Sequence, residues 1–262
     1  MIKNKTSLEI TIYPPEVQAV GQFDGGRITE IKPIGFPHEG PEIKNLGPLF
    51  YWARAKAKGY GKIGLHPHQA FEIMSYALEG EIGHYDTLGN RSQVKAGGAQ
   101  VMQAGSGISH EEETVGDYND FFQIWFDPGI QQALHHDPTY NEFKHEDFPI
   151  EKQDGATIKS ILGQGSPILL QSDAIMKDIS IDEDRTFQYS LNQGKTLALV
   201  IISGNGILFD LQTGTKHNLC EKDFALIDSK QTGGISIQAN SFLRLASLEV
   251  PTLVDYPLYR NR

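Results

Sequence analysis

The chain holds a single cysteine, Cys220, among its 262 residues, so no disulfide can close within it and a reducing compartment is expected. No apolar run approaches the ~20 residues that a membrane-spanning helix needs. The opening residues, Met1 to Thr6, lead into a polar–apolar alternation over 8–13 and show none of the apolar stretch of a secretory signal. Cations are outnumbered: 23 Lys plus Arg face 33 Asp plus Glu, for a net charge of −10, and no Lys/Arg block offsets it. That argues against direct binding to a phosphate backbone. Convincing helical periodicity is scarce as well. These absences lead to the expectation of a cytoplasmic, acidic protein with no membrane segment and no direct nucleic-acid partner. What is present, 39 % hydrophobic and 21 % charged residues, is the composition of a folded globular chain. The length allows one large domain or two small ones.

Short β-rich runs recur between Gly, Pro, Asn and Asp punctuation. One set spans 8–13, 27–34, 49–57, 71–78, 81–86, 99–103 and 121–126. A second spans 156–162, 177–181, 186–191, 196–202, 206–210, 223–228 and 242–249. Many short strands at this spacing predict all-β sandwiches or barrels with little helix. Between the sets, 127–154 is rich in Pro, His, Asp and Lys and reads as a connection with room for one short helix. The two sets are weak repeats of each other. Gly80 in Glu79-Gly80-Glu81 aligns with Gly204 in Ser203-Gly204-Asn205, 124 residues on, and Gly107 aligns with Gly234, 127 residues on. A short insertion reconciles the two offsets.

Two elements carry chemistry. In His66-Pro67-His68, Pro67 excludes a helix interior, so the histidines lie on an extended segment where positions i and i+2 share a face. His110-Glu111-Glu112 repeats that spacing with His110 and Glu112. If the segments face each other inside a barrel, three imidazoles and one carboxylate converge. Such a nitrogen and oxygen set suits Fe, Mn, Co or Ni with positions left open, and zinc is a less specific alternative. Taken alone, each element also reads blandly, as an exposed strand pair and a solvated acidic run. The internal alignment separates the readings. It places Ile237 and Ala239 at His110 and Glu112, and Ser190 and Asn192 at His66 and His68, so the scaffold repeats while the polar residues do not.

His66-Pro67-His68-Gln69-Ala70-Phe71-Glu72 leads to Tyr76-Ala77-Leu78-Glu79-Gly80-Glu81 and then to His84-Tyr85-Asp86-Thr87-Leu88-Gly89-Asn90. Met102-Gln103-Ala104-Gly105-Ser106-Gly107-Ile108-Ser109-His110 and Gln123-Ile124-Trp125 follow. This ordered set resembles the pirin family, a bicupin group, densely over about 47–128 and more weakly beyond. The resemblance implies two cupin (double-stranded β-helix, jelly-roll) barrels in one chain. It places a metal-binding barrel at 1–128, its first strand a candidate to pack on the other barrel, a connection at 129–154, and a barrel without metal ligands at 155–262. It also implies one divalent metal, Fe(II) foremost and Mn, Co, Ni or Zn as alternatives, held by His66, His68, His110 and Glu112. Cupins more generally draw the carboxylate from the first motif, which makes Glu72 the competitor of Glu112. Family members commonly carry Arg or Lys after His-Pro-His, and Gln69 stands there instead, removing a cation near the metal that the resemblance implies.

The activity the resemblance implies is that of a quercetin 2,3-dioxygenase, in which O2 opens the ring of a flavonol with loss of carbon monoxide. The metal would lower the pKa of the bound hydroxyl, Glu112 would accept its proton, and the pocket mouth would be apolar to suit a flat aromatic substrate. The alternative is a metal- or redox-sensing regulatory protein that binds a transcription factor or a metabolic enzyme. Other marked residues carry structural expectations. The 86–90 segment reads as a hairpin turn, and His84 as a half-exposed strand residue. His135 and His136 read as surface, Trp52 and Trp125 as packed, Cys220 as inert, and Met102 as core or pocket lining.

Overall fold

The structure, a computed structural model, describes residues 8–259. Strands dominate, and the α-helix found among the described residues is the single turn Ile130–Ala133, in the stretch read from the sequence as a connection. No helix there is long and apolar enough to cross a membrane. The described chain forms two compact units. The first comprises Val17–Phe148, Pro167–Ser172 and the segment from Val254, and the second comprises the segment up to Glu16, Pro149–Ser166 and Asp173–Leu253. The strand Leu8–Tyr13 therefore lies in the second unit, where it runs antiparallel to Phe224–Ser229 with Leu8 opposite Ser229.

In the first unit the strands run in the order Thr139–Phe143, Ala99–Gln103, Glu72–Asp86, Ile108–Phe126, Leu49–Lys58, Ile28–Ile34 and Ala19–Phe23. Gly61–His68 pairs with Ile108–Phe126, and Arg91–Lys95 pairs with Glu72–Asp86. The runs expected at 71–78 and 81–86 are one strand, Glu72–Asp86, whose register against Ile108–Phe126 slips between Ala77 and Glu81. Gly80 makes that corner. Its φ is 78°, and a Cβ there would lie 2.2 Å from the Tyr118 carbonyl oxygen, so only glycine fits. Beyond the corner the chain bends away, and the far half of each long strand closes a second face with the Gly61–His68 strand.

The second unit repeats the device. Its sheets run Leu8–Tyr13, Phe224–Ser229, Lys195–Ser203, Leu243–Pro251, Ile175–Ile181, Ala156–Leu162, Ile150–Gln153, and Thr186–Leu191, Gly233–Ala239, Gly206–Asp210, Lys216–Leu219. Gly204 has φ 83°, with a Cβ position 2.1 Å from the Phe242 carbonyl oxygen. Gly204 and Phe242 each stand 124 residues after Gly80 and Tyr118, so the aligned glycines do the same mechanical job. The interiors differ. Ile158, Ile181, Leu199, Ile201, Leu208, Ile235, Ile237 and Leu245 belong to one continuous apolar cluster in the second unit. In the first, the buried polar side chains Glu72, Ser75, His84, Asp86, His110, Glu112 and Gln123 interrupt the core.

Candidate metal centre

Antiparallel pairing of Gly61–His68 with Ile108–Phe126 sets His66 opposite His110 and His68 opposite Ile108. One ring nitrogen from each of His66, His68 and His110 comes within 4.8 Å of the other two. Nε2 of His66 and Nε2 of His110 are 3.1 Å apart. The Gly64 carbonyl lies 2.8 Å from His66 Nδ1, and because a carbonyl can only accept, Nδ1 carries the proton and Nε2 keeps its lone pair. Burial, and next the neighbouring imidazoles His110 and His66, push His68 down to about 3, although Glu112 pulls the other way. Burial, followed by His66 and His84, pushes His110 down to about 3 as well, against the pull of Asp86. Both rings are thus neutral at pH 7. His68 Nε2 is buried with no hydrogen-bond partner among the described residues. Three imidazole nitrogens converge here, that of His68 buried and without a partner, which is costly in an apolar interior, and a divalent transition cation is the group that these donors fit.

Glu112 is buried but stands outside that grouping of nitrogens. Its Oε1 accepts from Ser75 Oγ at 3.2 Å, and its Oε2 accepts from Gln123 Nε2 at 2.6 Å. Glu72 is engaged elsewhere: it accepts from Gln103 Nε2 at 2.8 Å, from the Gln171 amide at 2.6 Å and from the Ser172 amide at 3.0 Å. The chain turns between His68 and Glu72, where Ala70 has φ 70°, so the parity of a continuous strand is lost. Gln123 and Ser75 were not singled out from the sequence, although Gln123 stands in a motif quoted above.

His84 is not half-exposed but buried, at 3 %. Its Nε2 meets Asp86 Oδ2 at 2.9 Å, and its ring lies flat on Tyr140 at 3.9 Å between centroids. The 86–90 turn is built as expected: Asp86 Oδ1 accepts from the Leu88 amide at 2.9 Å and the Asn90 amide at 3.1 Å. Trp125 packs edge-on against His68 at 4.8 Å, Trp52 is fully buried, and Met102 joins Ile73, Ala104 and Ile108 in the core. His135, His136 and Cys220 are exposed.

A cavity of about 530 Å³ opens at His68, lined also by Pro67, Gln69, Thr87, Gly107, Ile108 and Ser109. Its rim mixes polar and apolar groups, which corrects the apolar mouth expected from a flat substrate. Gln69 does not reach across it, because its Nε2 donates to the Ser106 carbonyl at 2.9 Å.

Strand pairing also corrects the internal alignment. Asp86 pairs with His110 and His84 with Glu112, as Asp210 pairs with Ile235 and Leu208 with Ile237. His66 pairs with His110 and His68 with Ile108, as Tyr189 pairs with Ile235 and Leu191 with Gly233. The second-unit counterparts of His66, His68, His110 and Glu112 are therefore Tyr189, Leu191, Ile235 and Ile237, not Ser190, Asn192, Ile237 and Ala239. The glycine match of Gly107 with Gly234 misled the register: Gly107 has φ 138°, whereas Gly234 lies within the strand Gly233–Ala239.

A family model for pirin matches residues 50–126. The Pseudomonas aeruginosa protein named "Putative quercetin 2,3-dioxygenase PA1210" is 31 % identical over 185 residues, 66 % of this chain and 76 % of that protein. Pirin-like protein 2 of Arabidopsis thaliana is 30 % identical over 146 residues, 54 % of this chain but 45 % of its own length, so the match spans less than half of that relative. The crystal structure of bacterial pirin YhhW from Escherichia coli, in complex with nickel(II), superposes with a TM-score of 0.75 over 94 % of this chain and 100 % of that one. At 22 % identity that is a likeness of fold, the two-barrel cupin architecture.

Proposed function

The chain belongs to the pirin family, and from that premise we propose that it is a metal-dependent oxygenase that opens a flavonol such as quercetin with O2. The observation that carries the reading is the convergence of three imidazole nitrogens within 4.8 Å, at a cavity of about 530 Å³. The family resemblance and the name of the Pseudomonas relative supply the substrate class.

His66, His68 and His110 would hold a divalent metal, Fe(II) foremost, with Glu112, which stands outside their grouping, as the fourth donor that the family resemblance implies. When bound, the metal supplies Lewis acidity toward a hydroxyl ligand and brings the two reactants together. The remaining work falls to this chain's own residues. The low pKa of His68 and His110 keeps their lone pairs available, so no proton has to leave before they serve as ligands. Ser75 and Gln123 hold the Glu112 carboxylate by both oxygens, which fixes it as an acceptor. In that position Glu112 takes the 3-hydroxyl proton of the flavonol as general base. Trp125, which is edge-on against His68 at 4.8 Å and stacked on Phe71 at 6.3 Å, backs one face of that ring.

The test is metal analysis of the purified protein beside O2 uptake with Fe, Mn, Co and Ni in turn on a panel of flavonols. Uptake that disappears in His110→Ala is the expected result. Metal binding without O2 consumption on any flavonol overturns the oxygenase reading in favour of the regulatory one, which a pull-down comparing wild type with His110→Ala then examines.

A further inference from the structure

A second cavity, of about 320 Å³, opens in the first unit and shares no lining residue with the one at His68. The stretches 35–37, 44–50 and 258–259 contribute its walls, together with Asp127. Each wall is pinned. A bridge of Ile34 with Ile43 ties the roots of the first two stretches together. Glu39, which pairs with Lys32, accepts from the Phe36 amide at 2.9 Å. Leu46 and Leu49 exchange both amide–carbonyl bonds, at 2.7 and 3.0 Å, and so close a turn through Gly47, whose φ of 49° is left-handed. The Asp127 amide donates to the Pro48 carbonyl at 2.9 Å, and its Oδ2 accepts from the Tyr259 amide at 2.7 Å. Walls held in this way are those of a preformed ligand site, and the volume lies at the small end of the ~300–1,000 Å³ that such sites span.

The lining is aromatic and carries one uncommitted charge. Phe36, Phe50 and Tyr259 bring rings to it, and Pro37 and Pro48 add apolar surface. Asp127 is buried and already engaged, with the Gly129 amide on Oδ1 at 3.0 Å and the Tyr259 amide on Oδ2. Lys44 is exposed, and among the described residues it makes no ion pair and no side-chain hydrogen bond. The same holds for the side chain of Asn45 beside it. Ring walls bind a flat apolar body by stacked or edge-on contact. A cation and an amide with no partner of their own bind an anionic oxygen.

We propose that this cavity is a second ligand site of the chain, for a small planar aromatic carboxylate. The ring of the ligand packs among Phe36, Phe50 and Tyr259, and its carboxylate meets Lys44 and Asn45. No residue of the proposed metal set takes part. Phe36 and Phe50 meet Trp125 edge-on, at 5.7 and 6.0 Å between centroids, so the indole of Trp125 reports on the cavity wall from within the core.

The test uses the full chain, metal-free and isotopically labelled, titrated with benzoate, with its neutral isostere benzamide and with acetate, and followed by amide nuclear magnetic resonance. Benzoate is expected to shift the amides of Asn45, Gly47 and Tyr259 and the indole N–H of Trp125 in a saturable way. Benzamide should shift the same signals with an affinity about 2–5-fold weaker, the worth of a solvent-exposed ion pair, and acetate should not shift them. Lys44→Gln, at an exposed position that folding does not depend on, should lower benzoate to the affinity of benzamide, and Lys44→Arg should keep the wild-type value. Shifts that do not saturate, that acetate reproduces, or that fall on Thr87 and Ser109 of the other cavity instead overturn the site. Equal affinity for benzoate and benzamide, or benzoate binding indifferent to Lys44→Gln, overturns the recognition of a carboxylate. Because the chain is metal-free throughout, neither result depends on the oxygenase reading.

Discussion

At one register position the first barrel carries His110 and the second carries Ile235. The strands around both are paired alike, both corners turn on a glycine, and both side chains are buried, at 2 % and 1 %. Around Ile235 the neighbours Leu208, Ile237 and Leu191 complete an apolar core. Around His110 the corresponding residues are His84, Glu112 and His68, each a donor or acceptor. A cupin barrel can thus be filled in two ways on the same backbone. Apolar filling stabilises by about 1.5–3 kcal/mol per large side chain. Polar filling gives up that gain and leaves nitrogens that only a further group can satisfy.

The comparison extends to charge. Arg54 meets Asp120 with two bonds, Nε to Oδ1 at 3.0 Å and Nη2 to Oδ2 at 2.7 Å. In the second barrel Arg244 meets Asp178 through the same atoms at 3.0 Å and 2.7 Å. Asp178 stands 124 residues after Arg54, and Arg244 stands 124 residues after Asp120, so the same bidentate bridge is built with its polarity reversed. What the two barrels share at this place is the pairing of charges, not which strand bears which sign.

The largest effect that would break the contrast is on metal content. His110→Ala should abolish retained metal, read by elemental analysis of the purified protein, with the circular dichroism of the strands unchanged. Ile235→Ala should leave metal content alone and cost about 2–5 kcal/mol in a urea titration, as truncation of a buried isoleucine does. Next in size is the bridge. Asp120→Ala takes the carboxylate from a buried guanidinium and should cost about 3–5 kcal/mol. The double exchange Arg54→Asp with Asp120→Arg, which copies the polarity of the second barrel, should return most of that stability. Failure of the exchange would show that the two strands are not interchangeable hosts for the charges.

Confined to the first barrel is a dependence on pH. His68 and His110 fall from the ordinary 6.5 to about 3 in the folded chain, so between those values the unfolded chain binds more protons. The stability of the metal-free protein should be fully present above pH 6.5 and decline as pH falls toward 3. Urea titrations of wild type and His110→Leu across that range measure it, and parallel curves would contradict it. The smallest expected difference is at the corners. Gly80→Ala and Gly204→Ala should destabilise by similar amounts, above about 1 kcal/mol each, because both place a Cβ against a carbonyl oxygen at 2.2 Å and 2.1 Å. Unequal losses would mean that only one barrel depends on its corner.

Local chemistry made much of this legible without coordinates. Alternating apolar residues between glycine and proline punctuation state an all-β chain, because side-chain parity and turn geometry are properties of a few consecutive residues. His66 and His68 share a face for the same reason, and the glycine at position 80 announces its repeat at 204. What sequence could not supply was register. A slip of one residue moves a strand's whole set of side chains to the other face, and only the pairing of His66 with His110 and Tyr189 with Ile235 fixes which positions correspond. Burial is likewise a tertiary property. His84 sits in a strand of mixed polarity that looks half-exposed when read alone, and it is the packing of Tyr140, more than fifty residues away, together with Asp86 and His110, that buries it beside the candidate metal centre. The second barrel shows why composition goes no further: on one backbone, a few inward-facing residues separate a packed core from a candidate metal centre.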